Sequence, residues 1–322
     1  MATAEINMRM ESIAKWLAIG FAFFGMCHFA GASDNAIDAG SSSAQARRSA
    51  VQQIPFPRLN QEARQKLASV VENPSIFRRM PRETITCDPE MFVFLVRYPE
   101  VLVNLWELMG VTKVTVDRIA PLMFRGEDGA GTKCQVELVY GTDNLHVYYG
   151  TGSYEGSLVS RGLNGRCVCV LHSFPSTDDD GETQMTGQMD VFVKLDNIGV
   201  DIVAKTLAPF VGKTADYNFV ESARFVSQLS QAANRNPFAI QQIAGRMNNI
   251  EPSVRDEFIA IAGRMAEKKC KLLTDEEAVS AGHARIASPQ DTALADFETS
   301  PKPTSPSPPV ITPTKTEVIM RR

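Results

Sequence analysis

The stretch that decides the fold runs from Val114 to Leu195, and its middle reads QVELVYGTDNLHVYYG over 135–150. Val136, Leu138 and Tyr140 alternate with Glu137 and Val139, and Leu145, Val147 and Tyr149 alternate with His146 and Tyr148. A two-residue period sends successive side chains to opposite faces of a strand. Gly141-Thr142-Asp143-Asn144 between the runs is turn chemistry, so the pair reads as a hairpin. The signature recurs on both sides. Val114 and Val116 precede the turn glycines Gly126, Gly129 and Gly131, and Ser157 to Arg161 is a further short run. Arg166 to Phe174 follows Asn164-Gly165, a type I′ hairpin signal, and Gln188 to Leu195 follows Asp178-Asp179-Asp180-Gly181. The expectation is an antiparallel meander of about six to seven strands.

Helices bracket this sheet. Thr84-Ile85-Thr86 is a short strand, and Asp88-Pro89-Glu90 starts a helix: an acidic N-cap, proline at the first helical position and a carboxylate in the first turn. Tyr98-Pro99 ends that helix and begins a second, which carries Val101, Leu102, Leu105, Trp106 and Met109 as far as Gly110. After the sheet, Asp196-Asn197 caps a long helix with Ile198, Ile202, Val203, Leu207, Phe210 and Val211 on its apolar face; Pro209 and Gly212 are expected to bend or interrupt it. The pentapeptide Ile-Ala-Gly-Arg-Met occurs at 243–247 and again at 261–265, too few copies for a solenoid, so it reads as a helical hairpin packed on the domain. The fold class is α+β, a curved antiparallel sheet gripping a long C-terminal helix, with extra helices.

The two ends differ in composition. Arg9 and Lys15 precede the apolar run Trp16 to Cys27, and Ala30-Gly31-Ala32 offers a small-x-small cleavage pattern, so residues 1–32 read as a secretory signal cut before Ser33. The run is shorter than the about 20 residues of a comfortable span; an uncleaved anchor is the alternative, and the only route to a membrane. Residues 33–55 read as a flexible linker rich in Ser, Ala, Gln and Asp, and 56–81 as an N-terminal helix and connector, with Asn60 as cap, Ala63, Leu67, Val70 and Val71 on one face, and Asn73-Pro74 as stop. The main domain is 82–232, the hairpin extension 233–275, and 276–322 a disordered tail rich in Pro, Ser and Thr. The expected location is outside the cytoplasm, periplasmic or extracellular.

A formal charge of −4 and a pI near 5.7 give no basic signature, so no nucleic-acid partner is expected. Cleavage leaves Cys87, Cys134, Cys167, Cys169 and Cys270. The odd count requires at least one thiol outside any internal pair; mostly reduced, buried cysteines are one reading, and a cross-strand disulfide from Cys134 to Cys167 or Cys169 is the other.

Thr84-Ile85-Thr86 with Asp88-Pro89-Glu90, Tyr98-Pro99-Glu100 with Leu105-Trp106, and Asp190-Val191-Phe192-Val193 leading into the helix from Ile198 give an order of elements that resembles the START-like, or helix-grip, superfamily of lipid-transfer and polyketide cyclase-like domains. The resemblance covers about residues 82–231. It implies an apolar cavity between sheet and C-terminal helix, suited to a lipid or other apolar small molecule. Separately, no cofactor is expected.

For such a cavity the inward candidates are Trp106, Tyr140, Tyr149, Cys169, Ile202 and Lys205, with Lys205 as an anchor for an anionic head group or, alternatively, on the exposed helix face beside Asp201. No catalytic residue and no metal site is assigned. His172 with Cys167 and Cys169 is conceivable as a zinc site, but Cys-x-Cys on a strand merely places two thiols on one face, and packing is the preferred reading. Asp178 to Glu182 reads as a solvated hairpin tip. Nucleophile-elbow, phosphate-loop and dinucleotide motifs are absent from the sequence. Three functions stand in order: an exported non-enzymatic binder of an apolar ligand; a structural or interaction module with a filled core that engages a protein partner through residues 237–322; and a cyclase-like enzyme.

Overall fold

A computed structural model describes residues 40–155, 162–196 and 208–286. The described residues from Gly40 to Leu273 form one compact unit; of the second, the described residues Thr274 to Ile286 are helical. The elements in chain order are α1 (Ala44–Gln53), a 3-10 turn (Phe56–Arg58), α2 (Gln61–Val71), β1 (Ile76–Arg79), β2 (Glu83–Thr86), α3 (Pro89–Arg97), α4 (Pro99–Leu108), β3 (Thr115–Ala120), β4 (Met123–Glu127), β5 (Thr132–Gly141), β6 (Leu145–Tyr154), β7 (Leu163–Thr177), β8 (Thr183–Leu195), α5 (Ala208–Arg235), α6 (Pro237–Ala244) and α7 (Pro252–Ile286). The fold is α+β, built on an eight-stranded antiparallel sheet in the order β1-β8-β7-β6-β5-β4-β3, with β2 pairing β8 beyond β1.

Both faces of the sheet are covered. The inner face carries Val136, Leu138, Tyr148, Cys169, Leu171, Met189 and Val191 and packs against α3 to α7 through Phe94, Leu102, Trp106, Phe219, Ile240 and Phe258. The outer face carries Phe77, Val147, Val168, Val170 and Phe192 and packs against α1 and α2 through Ala50, Leu67 and Val70. Cover on both sides is what lets β7 and β8 bury nearly every residue in their middles.

Several expectations change. Residues 40–55 are not a spacer: Ser43 caps α1 by accepting from Ala46 N–H, and Ala46, Ala50 and Ile54 are buried on the outer face. Their i, i+4, i+8 stripe is small and weakly apolar, which hid it among serines and glutamines. Ile76–Arg79 is a strand rather than a connector, and the 114–127 stretch divides at Pro121-Leu122 into β3 and β4. Asn164-Gly165 is not a turn. It lies inside β7, where Gly165 pairs both Gly152 and Leu195 and a Cβ would come within 3.2 Å of Lys194 O. The run Ser157 to Arg161 lies outside the described residues, as do 1–39 and the tail from 287.

The closing helix α5 is described from Ala208 and runs unbroken through Gly212 to Arg235. Ser227 Oγ donates to Thr86 O at 2.8 Å and Ser230 Oγ accepts from Asp88 N–H at 3.0 Å, which fixes α5 to the β2–α3 corner. Helices α6 and α7 pack on the domain, as expected, up to residue 265: Ile240, Ala244, Met247, Ile250, Val254, Phe258, Ile261 and Met265 belong to the inner core. The two Ile-Ala-Gly-Arg-Met copies differ in backbone: the first spans the C-terminus of α6, the second lies within α7. Helix α7 also continues past residue 275 to Ile286. Among the described residues, no helix is long and apolar enough to cross a membrane.

Candidate functional site

The seam between sheet and helices opens where α3 meets α4. Pro99 forces the break, and Tyr98 takes φ −125°, ψ 61°, so the chain turns while both helices keep their apolar faces inward. Beneath the bend, Phe92, Leu95, Val96, Pro99 and Leu102 meet Tyr148 of β6 and Val226 of α5 around an apolar cavity of about 20 Å³. That volume holds roughly one water or methyl-sized group.

Polar links ring the cavity. Tyr148 Oη donates to Val96 O at 2.5 Å, and burial pushes the phenol well above its ordinary pKa. Two residues along the same strand and face, His146 is fully buried. Arg97 Nε donates to His146 Nε2 at 3.3 Å, and Arg97 Nη2 pairs with Asp143 Oδ1 at 3.3 Å. Accepting at Nε2 places the imidazole proton on Nδ1, which is buried without a partner. Burial first, then the Arg97 charge, lowers His146 to a pKa of about 4, with Asp143 opposing.

On the far side of Tyr98 an ion pair is buried. Arg118 Nε donates to Glu100 Oε1 at 2.7 Å, its Nη2 donates to Arg97 O at 3.0 Å, and its Nη1 bonds Pro121 O. The guanidinium lies 4.6 Å from the ring centroids of both Tyr98 and Phe124. Tyr98 stacks on Phe94 at 4.9 Å and Phe94 on Phe258 of α7 at 5.8 Å, so one ladder runs from β4 to the C-terminal helix. Burial raises Glu100's pKa, and Arg118 pulls it down.

The structure separates the sequence candidates. Trp106 is buried on the inner face against Phe225, 5.6 Å away, but it does not line the cavity; its indole N–H has no partner. Cys169 is buried on the inner face beside Cys167, and the thiol of Cys169 donates to Cys167, lowering the pKa of Cys167 and raising its own. Tyr140 and Tyr149 lie on the outer face: Tyr140 Oη accepts from Arg58 Nη1 at 3.1 Å, and Lys66 Nζ stands 5.8 Å over the Tyr149 ring. For Tyr140 the cause is a bulge between Leu138 and Tyr140, which inverts the alternation. For Tyr149 the alternation was right but the face was not, because both faces are covered by helices. Ile202 and Lys205 lie outside the described residues. All seven residues that line the cavity were missed in the sequence; for Tyr148 the signal was its place opposite the Val147–Tyr149 set.

Strand β6 lies between β5 and β7, so Cys134 and Cys167 or Cys169 sit two strand spacings apart, roughly 9–10 Å. A disulfide tolerates at most about 7 Å between Cα atoms, so the cross-strand pairing is excluded. His172 faces outward, toward Asp190 and Arg79, opposite to Cys167 and Cys169. Among the described residues no group of three or more His, Cys, Asp or Glu side chains is placed to hold a metal ion.

No protein-family model and no curated protein sequence matches the chain. Solved structures give faint likenesses. A conserved protein from Geobacillus kaustophilus is 9% identical over 47% of this chain and 93% of its own, with a TM-score of 0.34. Ara h 8.0201 is 12% identical over 47% of this chain and 97% of its own, at 0.28, and the di-domain ARO/CYC BexL is 15% identical over 65% and 60%, at 0.24. The last two are helix-grip folds.

Proposed function

We propose that this chain is an exported, non-enzymatic binding protein that takes an apolar small molecule, a lipid chain or similar, at the seam between sheet and C-terminal helices. The observation that carries the reading is the cavity under the α3–α4 bend, where six apolar side chains and the ring of Tyr148 meet with no ionised group in the lining. A lining of this kind recognises apolar matter. The neighbouring polar groups act as fasteners rather than as catalysts: His146, with its pKa lowered by burial, is a weak base, and Glu100 is spent on Arg118. Export is supported by the signal-like residues 1–32, and N-terminal sequencing that finds Ser33 first in the mature chain tests it.

Native mass spectrometry with fatty acids of graded chain length tests the binding. The wild-type chain is expected to retain a chain-length-dependent adduct, and Val226→Leu, whose extra methylene takes up the methyl-sized space, to lose it while keeping its near-UV spectrum. Equal retention by both, or none by the wild type, overturns the proposal.

A second reading is favoured by size. Ligand pockets usually span roughly 300–1,000 Å³, and the cavity of about 20 Å³ is far smaller. Under this reading the core is filled and the chain is an interaction module. Because α6 and the start of α7 are packed inward, its partner-binding part falls beyond Leu273. Deleting residues 274–322 abolishes assembly under this reading and leaves ligand retention intact under the first.

A further inference from the structure

Two links hold the end of α3 down on β6 over the cavity, and Arg118 Nη2 to Arg97 O ties it to β3. One is Tyr148 Oη to Val96 O, and the other is Arg97 Nε to His146 Nε2, on adjacent residues of α3 and on residues two apart in β6. Val96 and Tyr148 line the cavity, and the α3–α4 bend at Tyr98-Pro99 follows directly. A turn of α3 that lifts from β6 therefore uncovers the cavity.

We propose that the Arg97–His146 link is an acid-sensitive latch: proton uptake by His146 releases Arg97, frees the end of α3 and opens the apolar cavity. As a way of releasing a ligand this rests on the binding function proposed above; as a motion of α3 it does not.

The chemistry follows from who donates. Arg97 can donate only, so the bond requires a bare lone pair at His146 Nε2. A proton arriving there removes the acceptor and leaves imidazolium facing guanidinium. The charged groups facing the ring are Arg97 from α3 and Asp143 from the β5–β6 turn; from β5 comes Gly141, and from β7 the apolar Leu171. Arg118 pairs with Glu100 and also donates to Arg97 O at 3.0 Å, so it holds the α3 backbone while the Arg97 guanidinium is free to leave. Asp143 is a poor counter-ion because its side chain is 87% exposed. Arg97 is 39% exposed at its side chain, so it can swing into water without leaving a buried charge behind. His146, fully buried and with its Nδ1 unpartnered, has no such exit except by exposure of the seam.

The size of the effect is set by linkage between the closed form, where His146 titrates at about 4, and an open form with an ordinary histidine near about 6.5. The open-to-closed ratio then rises about 20-fold between about pH 7 and pH 5.

Hydrogen exchange of the full chain, read by mass spectrometry over residues 92–102 and corrected for the intrinsic pH dependence, tests the latch without any ligand. The wild type is expected to show the 20-fold rise in opening, and His146→Gln, whose amide oxygen still accepts from Arg97 but takes no proton, to stay flat. Arg97→Met keeps the test open if His146→Gln folds poorly: it should exchange fast at both pH values. An equal rise in wild type and His146→Gln, or a flat wild type, overturns the latch. A latch that works in a protein that retains no fatty acid refutes the ligand alone.

Discussion

Arg118→Met removes the cation that neutralises Glu100 and leaves the rest of the seam in place. Glu100 is 2% exposed, so its carboxylate would be stranded in the interior with Oε2 already unpartnered. Breaking a buried pair in this way costs about 3–5 kcal/mol. The guanidinium's stacking on Tyr98 and Phe124 is worth about another 1 kcal/mol, which the methionine side chain partly restores. The midpoint of urea unfolding is expected to fall by roughly 1–2 M at pH 7. Removing both partners in Glu100→Leu/Arg118→Met leaves no orphan charge and should cost under about 2 kcal/mol. The pH dependence has a definite sign. Burial already raises Glu100's pKa in the folded state and Arg118 opposes this; without Arg118 it rises further. The penalty is therefore complete above the folded-state pKa and vanishes as pH falls towards the ordinary glutamate range near 4.5. A single variant within 1 kcal/mol of wild type, or a double variant as unstable as the single, would refute the reasoning.

Two further outcomes follow from packing. Gly150→Ala places a Cβ 2.6 Å from Cys167 Sγ and should destabilise by about 1–3 kcal/mol, with Cys167→Ala in the same chain restoring most of it; thermal unfolding of the three variants checks this, and no rescue would mean the clash lies elsewhere. Phe258→Ala empties a fully buried site stacked on Phe94 and should cost about 3–5 kcal/mol in urea, whereas a loss below 1 kcal/mol would show that α7 is not part of the core.

The amino-acid order alone determined the local units. Asp88-Pro89 starting α3, Tyr98-Pro99 breaking it from α4, the hairpin at Gly141 to Asn144 and the tip at Asp178 to Gly181 are each written in a few adjacent residues, because caps, prolines and turn glycines act over one turn of chain. Which face of the sheet is inside was decided only in three dimensions. Period-2 alternation says that Val147 and Tyr149 share a side, yet α1 and α2 cover that side as well, so Tyr148 rather than Tyr149 reaches the cavity. The bulge beside Tyr140, the α1 stripe of alanines and the joining of Arg97 to His146 across 49 residues likewise depend on what packs opposite, and a linear pattern carries no record of its opposite wall.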